Sequence, residues 1–331
     1  MSPTATGRTT GGGGTTDGDR TGARVKGGGG RATGRDRAGV RTEGGGRAGA
    51  RAGRPSTAWA LPAVLFFAFF AVAPMVLAFG LSFTEWNGLG DPRPAGLANW
   101  RKLLDDPRLT QSLTVTVLLT AVSWAFQSAV ALLLGVWAAG RQRNRAILSA
   151  VFFVPFLLSS TAISLLFYAL LDPNFGIVRG DTLGTTSGAF LAIVFVGGWQ
   201  FIPFHTLIYQ GGARQIPDVL YQAAAMDGAG RWRRFRSITL PQLRNTATTS
   251  SVLMIVGSLT YFETVLILTQ GGPGTDTAIL PYLMYEAGFK NYDFGYASAV
   301  ASFLVVAATA LSLLLVRLTG FGAMRSTREG M

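Results

Sequence analysis

Residues 221–241 read YQAAAMDGAGRWRRFRSITLP and lie between two long apolar segments of the chain. The stretch contains three consecutive alanines, then Gly228, then an ITLP motif at 238–241 that nine residues separate from the glycine. Alanine favours helix, and glycine supplies the left-handed conformation in which many helices end. The pattern therefore predicts a short helix from Pro217 to Gly228, followed by a second helix over residues 231–238.

The apolar segments on either side belong to a set of long windows with almost no charge. The chain has 331 residues, of which 49% are hydrophobic and 14% charged, and this is too apolar for an ordinary soluble domain. A helix needs about 20 residues to cross a hydrocarbon core, and each window is long enough. The predicted spans are residues 58–83, 113–138, 147–171, 188–211, 247–270 and 295–318. Buried helices of a soluble protein are the alternative, but 331 residues would hardly cover six such windows. We therefore predict an all-α membrane protein with six spans.

Basic residues are concentrated on one side of these spans. The tail at 1–56, the 139–146 loop, the 212–245 loop and the end from Arg317 together carry 23 of the 29 lysines and arginines. Cytoplasmic loops are enriched in these residues. Both termini are therefore predicted to be cytoplasmic in a multi-pass protein of a bacterial plasma membrane. This distribution accounts for the net charge of +12 without a nucleic-acid partner.

Three parts follow from this organisation. Residues 1–56, rich in Gly and Arg, are predicted to form a disordered cytoplasmic tail because they contain little apolar surface to bury. Residues 57–321 form the transmembrane domain with its cytoplasmic loop at 212–245, and residues 322–331 a short tail. The chain has no cysteine and a single histidine, His205, so no disulfide framework and no metal site are expected.

Further short motifs follow one another along the chain: WN at 86–87, GL-x-N-W at 96–100, L-x-D-P at 104–107, GGP at 271–273 and FGYASA at 294–299. Together with the QAA…G…I-x-L-P spacing of the 222–241 loop, they resemble the permease subunits of binding-protein-dependent ABC importers. The order of the motifs is most similar to the carbohydrate-uptake permeases of the MalF/UgpA type. The resemblance extends from about residue 58 to residue 321 and omits only the tails.

This resemblance implies the six-span transmembrane domain of a type I ABC importer, in which the loop receives the ATPase. The residues that match the coupling motif are Gln222, Ala223, Ala224, Asp227, Gly228, Ile238, Leu240 and Pro241. The family usually has glutamate where this chain has Gln222, so a charge-assisted contact is lost while hydrogen bonding is kept. The implied partners are a second homologous permease, two nucleotide-binding ATPase subunits, an extracytoplasmic solute-binding protein and a sugar.

ATP and Mg are expected on the partner ATPase, with no cofactor on this chain. A phosphate-binding loop needs Gly-Lys followed by Ser or Thr. The only lysines, Lys26, Lys102 and Lys290, are followed by Gly, Leu and Asn. We therefore predict a transport subunit and not an enzyme.

Polar groups within the spans are candidates for the substrate path because they are costly in lipid. Glu263 is the only acid inside a predicted span, and Tyr261 and Phe262 precede it. A carboxylate and aromatic rings suit the hydroxyls and the apolar faces of a sugar. Trp199, Gln200 and His205 in the fourth span form a second candidate group, and Gln127 in the second span is a third candidate. The alternative role for all of them is to bond neighbouring helices or the partner permease.

Other functions remain open at this point. A secondary transporter driven by an ion gradient needs no ATPase, and several intramembrane charges would favour it, but only Glu263 is found. An ABC permease for another solute, such as a glycerol-phosphate compound, would share the coupling loop. A membrane enzyme would need a nucleophile–base or metal cluster, and the sequence contains none. An anchoring or assembly subunit that binds no substrate is a further alternative.

Overall fold

The computed structural model describes residues 60–140, 150–178, 180–259 and 261–319. They belong to a compact unit that begins at Thr57. The predicted tails at 1–56 and 322–331 lie outside the described residues, as does most of the basic loop at 139–146.

Within the described ranges the unit is almost entirely helical, and we number its helices in chain order. They are α1 Leu61–Leu81, α2 Ala98–Asp105, α3 Pro107–Ala138, α4 Val154–Leu157, α5 Ser160–Leu170, α6 Thr186–Arg214, α7 Asp218–Met226, α8 Arg231–Arg234, α9 Leu240–Gln242, α10 Arg244–Ser258, α11 Phe262–Leu268, α12 Leu280–Tyr285 and α13 Phe294–Thr319. Helix α1 contains a π-helical segment at Ala68–Val72, and further π-helical segments lie at Phe235–Thr239 and Glu286–Lys290. Two short antiparallel strands, β1 Thr84–Glu85 and β2 Arg93–Pro94, pair with Thr84 opposite Pro94.

Four of the described helices, α1, α3, α6 and α13, are each long and apolar enough to cross a membrane. They lie where the first, second, fourth and sixth spans were predicted. Helices α10 and α11 have 15 and 7 residues, so each is too short to span alone and they pass the same test only as a pair. The two helices are bent by 46° relative to each other. The described residues therefore contain four single candidate spans and a fifth that is broken.

The third predicted span, residues 147–171, is not one continuous helix. Residues 147–149 lie outside the described residues, residues 150–152 are helical, and the short helices α4 and α5 follow. Pro155 lies in the first turn of α4, where its missing N–H is tolerated. Leu158 and Ser159 are extended, with ψ of 152° and 137°, and they separate the two helices. The span is therefore completely broken between α4 and α5 and not only bent at the proline.

The fifth predicted span, 247–270, is also interrupted. Helix α10 ends at Ser258 and α11 begins at Phe262. Tyr261 has ψ of 35°, which is outside the helical range. Both broken spans therefore present non-helical backbone inside an apolar region. Such backbone occurs at membrane depth only where protein or a cavity surrounds it.

The core is formed where α3 and α6 pack along each other. Glycines allow the two helices to approach closely: a Cβ atom at Gly135 would lie 2.5 Å from the Cβ of Tyr209, and one at Gly198 would lie 2.5 Å from Cε1 of Phe126. Small residues at helix crossings are typical of membrane proteins, because association there depends on close van der Waals contact. The two unbroken helices α3 and α6 are thus the frame on which the broken spans are held.

Three of the short sequence motifs, WN, GL-x-N-W and FGYASA, meet in one cluster. The Trp86 ring lies 5.5 Å from that of Phe294, measured between ring centroids. Asn99 on α2 donates from Nδ2 to the carbonyl oxygens of Ser82 and Thr84, at 3.0 and 2.8 Å. Helix α2, which also packs on α13, thus fastens the first span to the last.

Candidate coupling surface and substrate cavity

The short helix α7 ends in a Schellman motif. The amide of Ala229 donates to the carbonyl oxygen of Ala224 (2.8 Å), and the amide of Gly228 donates to that of Ala225 (3.1 Å). Gly228 has φ of +73°, while a Cβ atom there would meet no other atom within 4 Å. The glycine is required for its backbone conformation and not for lack of space. The sequence prediction of a helix that ends at this glycine is confirmed.

The rear of the 212–245 loop is packed against the transmembrane helices. Ile216 and Leu243 are buried in the same apolar cluster as Tyr209 of α6, and Ile238 packs against them. The Tyr221 hydroxyl lies 2.9 Å from Thr239 Oγ1, which joins α7 to the returning segment. Because both ends of the loop are anchored, α7 is held in a fixed direction relative to the spans.

The front of the loop is exposed, and it includes residues that the sequence motif does not contain. Gln222, Ala223 and Asp227 are exposed. Beside them, the side chain of Met226 is 85% exposed and that of Trp232 is 70% exposed. Large apolar side chains held in water at a loop tip mark a contact surface. The sequence did contain a signal for these two residues. Met226 and Trp232 are large apolar residues in a loop that the distribution of basic residues predicts to be exposed to water.

The structure does not bring Glu263, Phe262 and Tyr261 together as one group. Glu263 is exposed in this isolated chain, while Tyr261 is buried. Phe262 is half-buried, with its ring 5.3 Å from that of Tyr285. Because these neighbours face different surroundings at the start of α11, one sugar ring could not contact all three in this conformation.

Trp199 and Gln200 likewise do not form one site, because their side chains have different partners. The Trp199 ring packs edge-on against Phe167 at 5.3 Å between centroids. Gln200 is buried and donates from Nε2 to the Leu158 carbonyl oxygen (3.2 Å) and to Ser160 Oγ (3.0 Å). Its hydrogen bonds thus go to the break between α4 and α5.

A cavity of about 200 Å³ lies between the unbroken helices and the broken spans. It is lined by Gln127, Phe156, Phe201, Phe204, His205, Leu253, Met254, Gly257, Ser258 and Tyr261. Aromatic faces and a few polar groups therefore line one space, in the way that small-molecule sites combine apolar walls with a few orienting polar groups. Of the sequence candidates, the structure places Gln127, His205 and Tyr261 here.

Hydrogen bonds fix the polar groups of this cavity. Gln127 donates from Nε2 to the Tyr261 hydroxyl at 2.8 Å, and His205 Nδ1 lies 3.0 Å from Ser250 Oγ. The rings of Phe156 and Phe204 are stacked at 5.2 Å. The three phenylalanines of the lining were not predicted as site residues, because a phenylalanine in an apolar helix carries no signal of its own.

Comparison with known proteins agrees with this architecture. The chain matches the family described as binding-protein-dependent transport system inner membrane component over residues 131–322. The probable ABC transporter permease protein YurN of Bacillus subtilis is 32% identical over 269 residues, 77% of this chain and 92% of that protein. The multiple sugar-binding transport system permease protein MsmF of Streptococcus mutans is 29% identical, with 77% and 90% covered.

A solved structure has the same fold. The crystal structure of a bacterial alginate ABC transporter in complex with an alginate pentasaccharide-bound periplasmic protein contains a chain that matches with a TM-score of 0.69 and 21% identity. The match covers 79% of this chain and 92% of that one. The fold is therefore that of an ABC importer transmembrane domain, as predicted. The chain belongs to the family of binding-protein-dependent transport system inner membrane components, and it is a multi-pass membrane transport subunit.

Proposed function

We propose that this chain is the permease subunit of an importer that takes up a sugar or oligosaccharide. The family membership and the sugar-transport name of MsmF support this proposal, as does a structural neighbour from an alginate transporter. The observation that carries it is the exposed helix α7, anchored from behind and ended by the turn at Gly228. A stiff exposed element between two spans can transmit force from a soluble partner to the membrane helices.

The partners that this role requires are separate chains. A second homologous permease would complete the pathway, two ATPase subunits would bind ATP and Mg, and an extracytoplasmic solute-binding protein would deliver the sugar. Both termini and the 212–245 loop would then be cytoplasmic, which agrees with the distribution of basic residues.

Coupling would take place on the front of the loop. Gln222, Ala223 and Asp227 would enter a cleft of the ATPase, and Met226 and Trp232 would add apolar contact area beside them. Ala224, half-buried, keeps the helix narrow. Ile238 fixes the returning segment from behind, whereas Leu240 and Pro241 are exposed at its end. Closure of the ATPases on ATP would displace α7, and the anchored rear of the loop would pass this displacement to α6 and α10.

The aromatic cavity is the proposed substrate site within the membrane. Phe201, Phe204 and Tyr261 would contact the apolar faces of a sugar, while Gln127 and His205 would bond its hydroxyls. Typical ligand pockets have volumes of roughly 300–1,000 Å³, so this smaller cavity must widen to hold substrate. Glu263 and Gln200 lie outside the lining, and we propose that the exposed Glu263 carboxylate faces the partner permease or the path toward it.

Reconstitution into vesicles tests this function. The complex that copurifies with this chain should contain an ATPase, and sugar uptake should require internal ATP and the external binding protein. Uptake that is driven by an ion gradient without ATP would instead establish a secondary transporter. Uptake of a glycerol-phosphate compound in place of sugars would keep the importer and change its substrate class.

A further inference from the structure

A second cavity, of about 820 Å³, lies between α7 and the ends of two spans. Its walls come from the end of α3, the end of α6, the first turn of α7 and residues 231–239. Helices α3 and α6 are each long and apolar enough to cross a membrane, and the ends of such spans lie at the level of the lipid headgroups. The cavity is therefore located where headgroups would meet the coupling loop.

The cavity and the exposed front of the loop lie on different faces of α7. Asp218 and Tyr221, which are three residues apart and therefore neighbours on one side of the helix, line the cavity. Gln222 and Met226, four residues apart, are exposed at the front and are absent from the described lining. A molecule bound in the cavity would thus leave the front free to contact the ATPase.

Arginine side chains make the lining of this cavity positive. Arg214 at the end of α6 and Arg231 and Arg234 on α8 belong to the described lining, which contains one acidic residue, Asp218. Within the part of the chain that the structure describes, none of the three arginines forms an ion pair. Guanidinium groups around one space repel one another, and an anion among them removes this repulsion and accepts their hydrogen bonds. The cavity therefore suits a negatively charged ligand.

The rest of the lining indicates which kind of anion fits. Val136, Ala213, Ile216 and Phe235 add apolar surface beside the arginines. Inorganic phosphate has no apolar part, whereas the phosphate of a lipid is joined to glycerol and acyl chains that can contact such side chains. Arginine binds phosphate through paired hydrogen bonds, and typical ligand sites have volumes of roughly 300–1,000 Å³. The combination favours a lipid headgroup over a free ion.

We propose that this space, which we call the arginine cavity, binds the phosphate of an anionic lipid headgroup, such as that of phosphatidylglycerol. Basic pockets between membrane helices at the cytoplasmic side are suited to such headgroups. The basic residues of the 212–245 loop predict that this end of the spans is cytoplasmic. An acidic segment of the ATPase is the alternative ligand, but the front of the loop, on another face of α7, is the surface expected to meet that partner.

A bound headgroup would also strengthen coupling, and this part rests on the proposed transport function. Arg214 belongs to a span, whereas Arg231 and Arg234 belong to the loop, so one phosphate would join the two. The Tyr221 hydroxyl and Thr239 Oγ1, 2.9 Å apart, form a hydrogen bond between residues of the same lining. The lipid would thus add a second connection near this one, and a movement of α7 would be transmitted to α6 more directly.

Native mass spectrometry of the purified complex tests the site independently of transport. Phosphatidylglycerol and phosphatidylcholine are added in turn, and the retained lipids of each kind are counted. Arg214→Gln and Arg234→Gln should each weaken the retention of phosphatidylglycerol by roughly fivefold and leave that of phosphatidylcholine unchanged. Arg236, exposed on the same loop but absent from the described lining, provides the control. Arg236→Gln should retain phosphatidylglycerol as the unsubstituted chain does.

The effect on coupling is measured in nanodiscs of phosphatidylcholine that contain increasing fractions of phosphatidylglycerol. ATPase activity stimulated by the loaded binding protein should rise with the anionic fraction. Arg214→Gln and Arg234→Gln should shift the half-maximal fraction upward by roughly fivefold, and Arg236→Gln should leave it unchanged. In nanodiscs of phosphatidylcholine alone, inorganic phosphate and glycerol phosphate should not activate at equal ionic strength.

Four results would overturn the arginine cavity as a lipid site. They are equal retention of phosphatidylglycerol by all variants, an equal loss in Arg236→Gln, activation by inorganic phosphate, and loss of the ATPase from the Arg214→Gln and Arg234→Gln complexes. Specific retention with an activity that does not depend on the anionic fraction would overturn the effect on coupling alone. Absence of ATP-dependent uptake by the unsubstituted complex would instead overturn the proposed function, whatever the lipid counts.

Discussion

The Tyr296 hydroxyl donates a 2.7 Å hydrogen bond to Oδ2 of Asp106, a residue 190 positions earlier in the chain. Asp106 also caps α3 by accepting from the amide of Arg108, whose guanidinium forms an ion pair with the same carboxylate. The carboxylate therefore ties the start of the second span to the start of the last one. Asp106 belongs to the L-x-D-P motif and Tyr296 to the FGYASA motif. The hydrogen bond therefore joins two motifs that are each weak evidence when taken alone.

The Asp106 contact predicts a loss of stability in acid. Burial alone would raise the pKa of Asp106, but hydrogen bonds from Arg108 and Tyr296 outweigh it and hold the pKa below its usual range. Because the folded pKa is the lower one, this stabilisation is present at neutral pH and is lost as the pH falls through the folded pKa. Asp106→Asn should lower the midpoint of thermal unfolding in detergent at pH 7, and the difference should shrink as the pH falls below the ordinary pKa of an aspartate, about 4.

Asp105 is the control for this measurement. It precedes Asp106, is exposed, and has no hydrogen bond or ion pair within the part of the chain that the structure describes. Asp105→Asn should leave the midpoint unchanged at every pH. Equal effects of the two variants would contradict the assigned role of Asp106.

Gly228→Ala should weaken coupling because alanine at a φ of +73° is strained. The strain is about 1–2 kcal/mol, or roughly tenfold in the population of the native turn. ATPase activity stimulated by the loaded binding protein should fall by a similar factor, with the amount of inserted protein unchanged. Gly230 has φ of −65° and open space around it, so Gly230→Ala should behave as the unsubstituted chain. Full activity of Gly228→Ala would argue against a fixed direction for α7.

Because Trp232 and Met226 are exposed, we expect their replacement to weaken binding of the ATPase without affecting the folding of this chain. Trp232→Ser and Met226→Ser should each weaken association with the ATPase, since burial of such a side chain is worth about 1.5–3 kcal/mol. Retention of the ATPase on immobilised complex during washing measures the effect. Phe175, 93% exposed in the loop between α5 and α6, provides the control Phe175→Ser. If all three variants retain the ATPase equally, the front of the loop is not the docking surface.

The orientation can be tested with single thiols in this cysteine-free chain. Arg233→Cys in the 212–245 loop and Phe175→Cys should react with an impermeant reagent from opposite sides of sealed cells and inverted vesicles. The expected cytoplasmic position is that of Arg233, since basic residues are concentrated there. Reaction of both thiols from the same side would refute the predicted topology.

The aromatic cavity predicts an effect on substrate affinity. Phe204→Leu removes a ring that stacks on Phe156, and an aromatic contact of this kind is worth roughly 0.5–1.5 kcal/mol. The KM for uptake should rise by about three- to tenfold, while ATPase assembly is unaffected. Phe195, an exposed ring on the same helix, gives the control Phe195→Leu. An unchanged KM for Phe204→Leu would place the substrate elsewhere, and the exposed Glu263 would then be the next residue to test.

The sequence by itself determined the features that depend on local chemistry. The absence of charge over long windows located four intact spans, since a membrane helix must be predominantly apolar over about 20 residues. The helix end at Gly228 followed from the alanines before it and from the freedom of glycine at positive φ. Pro155 in the third span does not by itself specify a complete break, because that break also involves the extended residues Leu158 and Ser159.

Only the tertiary structure decided which side chains share a site. Tyr261 and Glu263 are two residues apart, yet one is buried and the other exposed. Gln127 and Tyr261 are 134 residues apart, yet they are hydrogen-bonded. The physical reason is that the direction of a side chain depends on how its helix is rotated and broken against its neighbours. That rotation is set by contacts such as the close approach of α3 and α6 at Gly135, which no local pattern encodes.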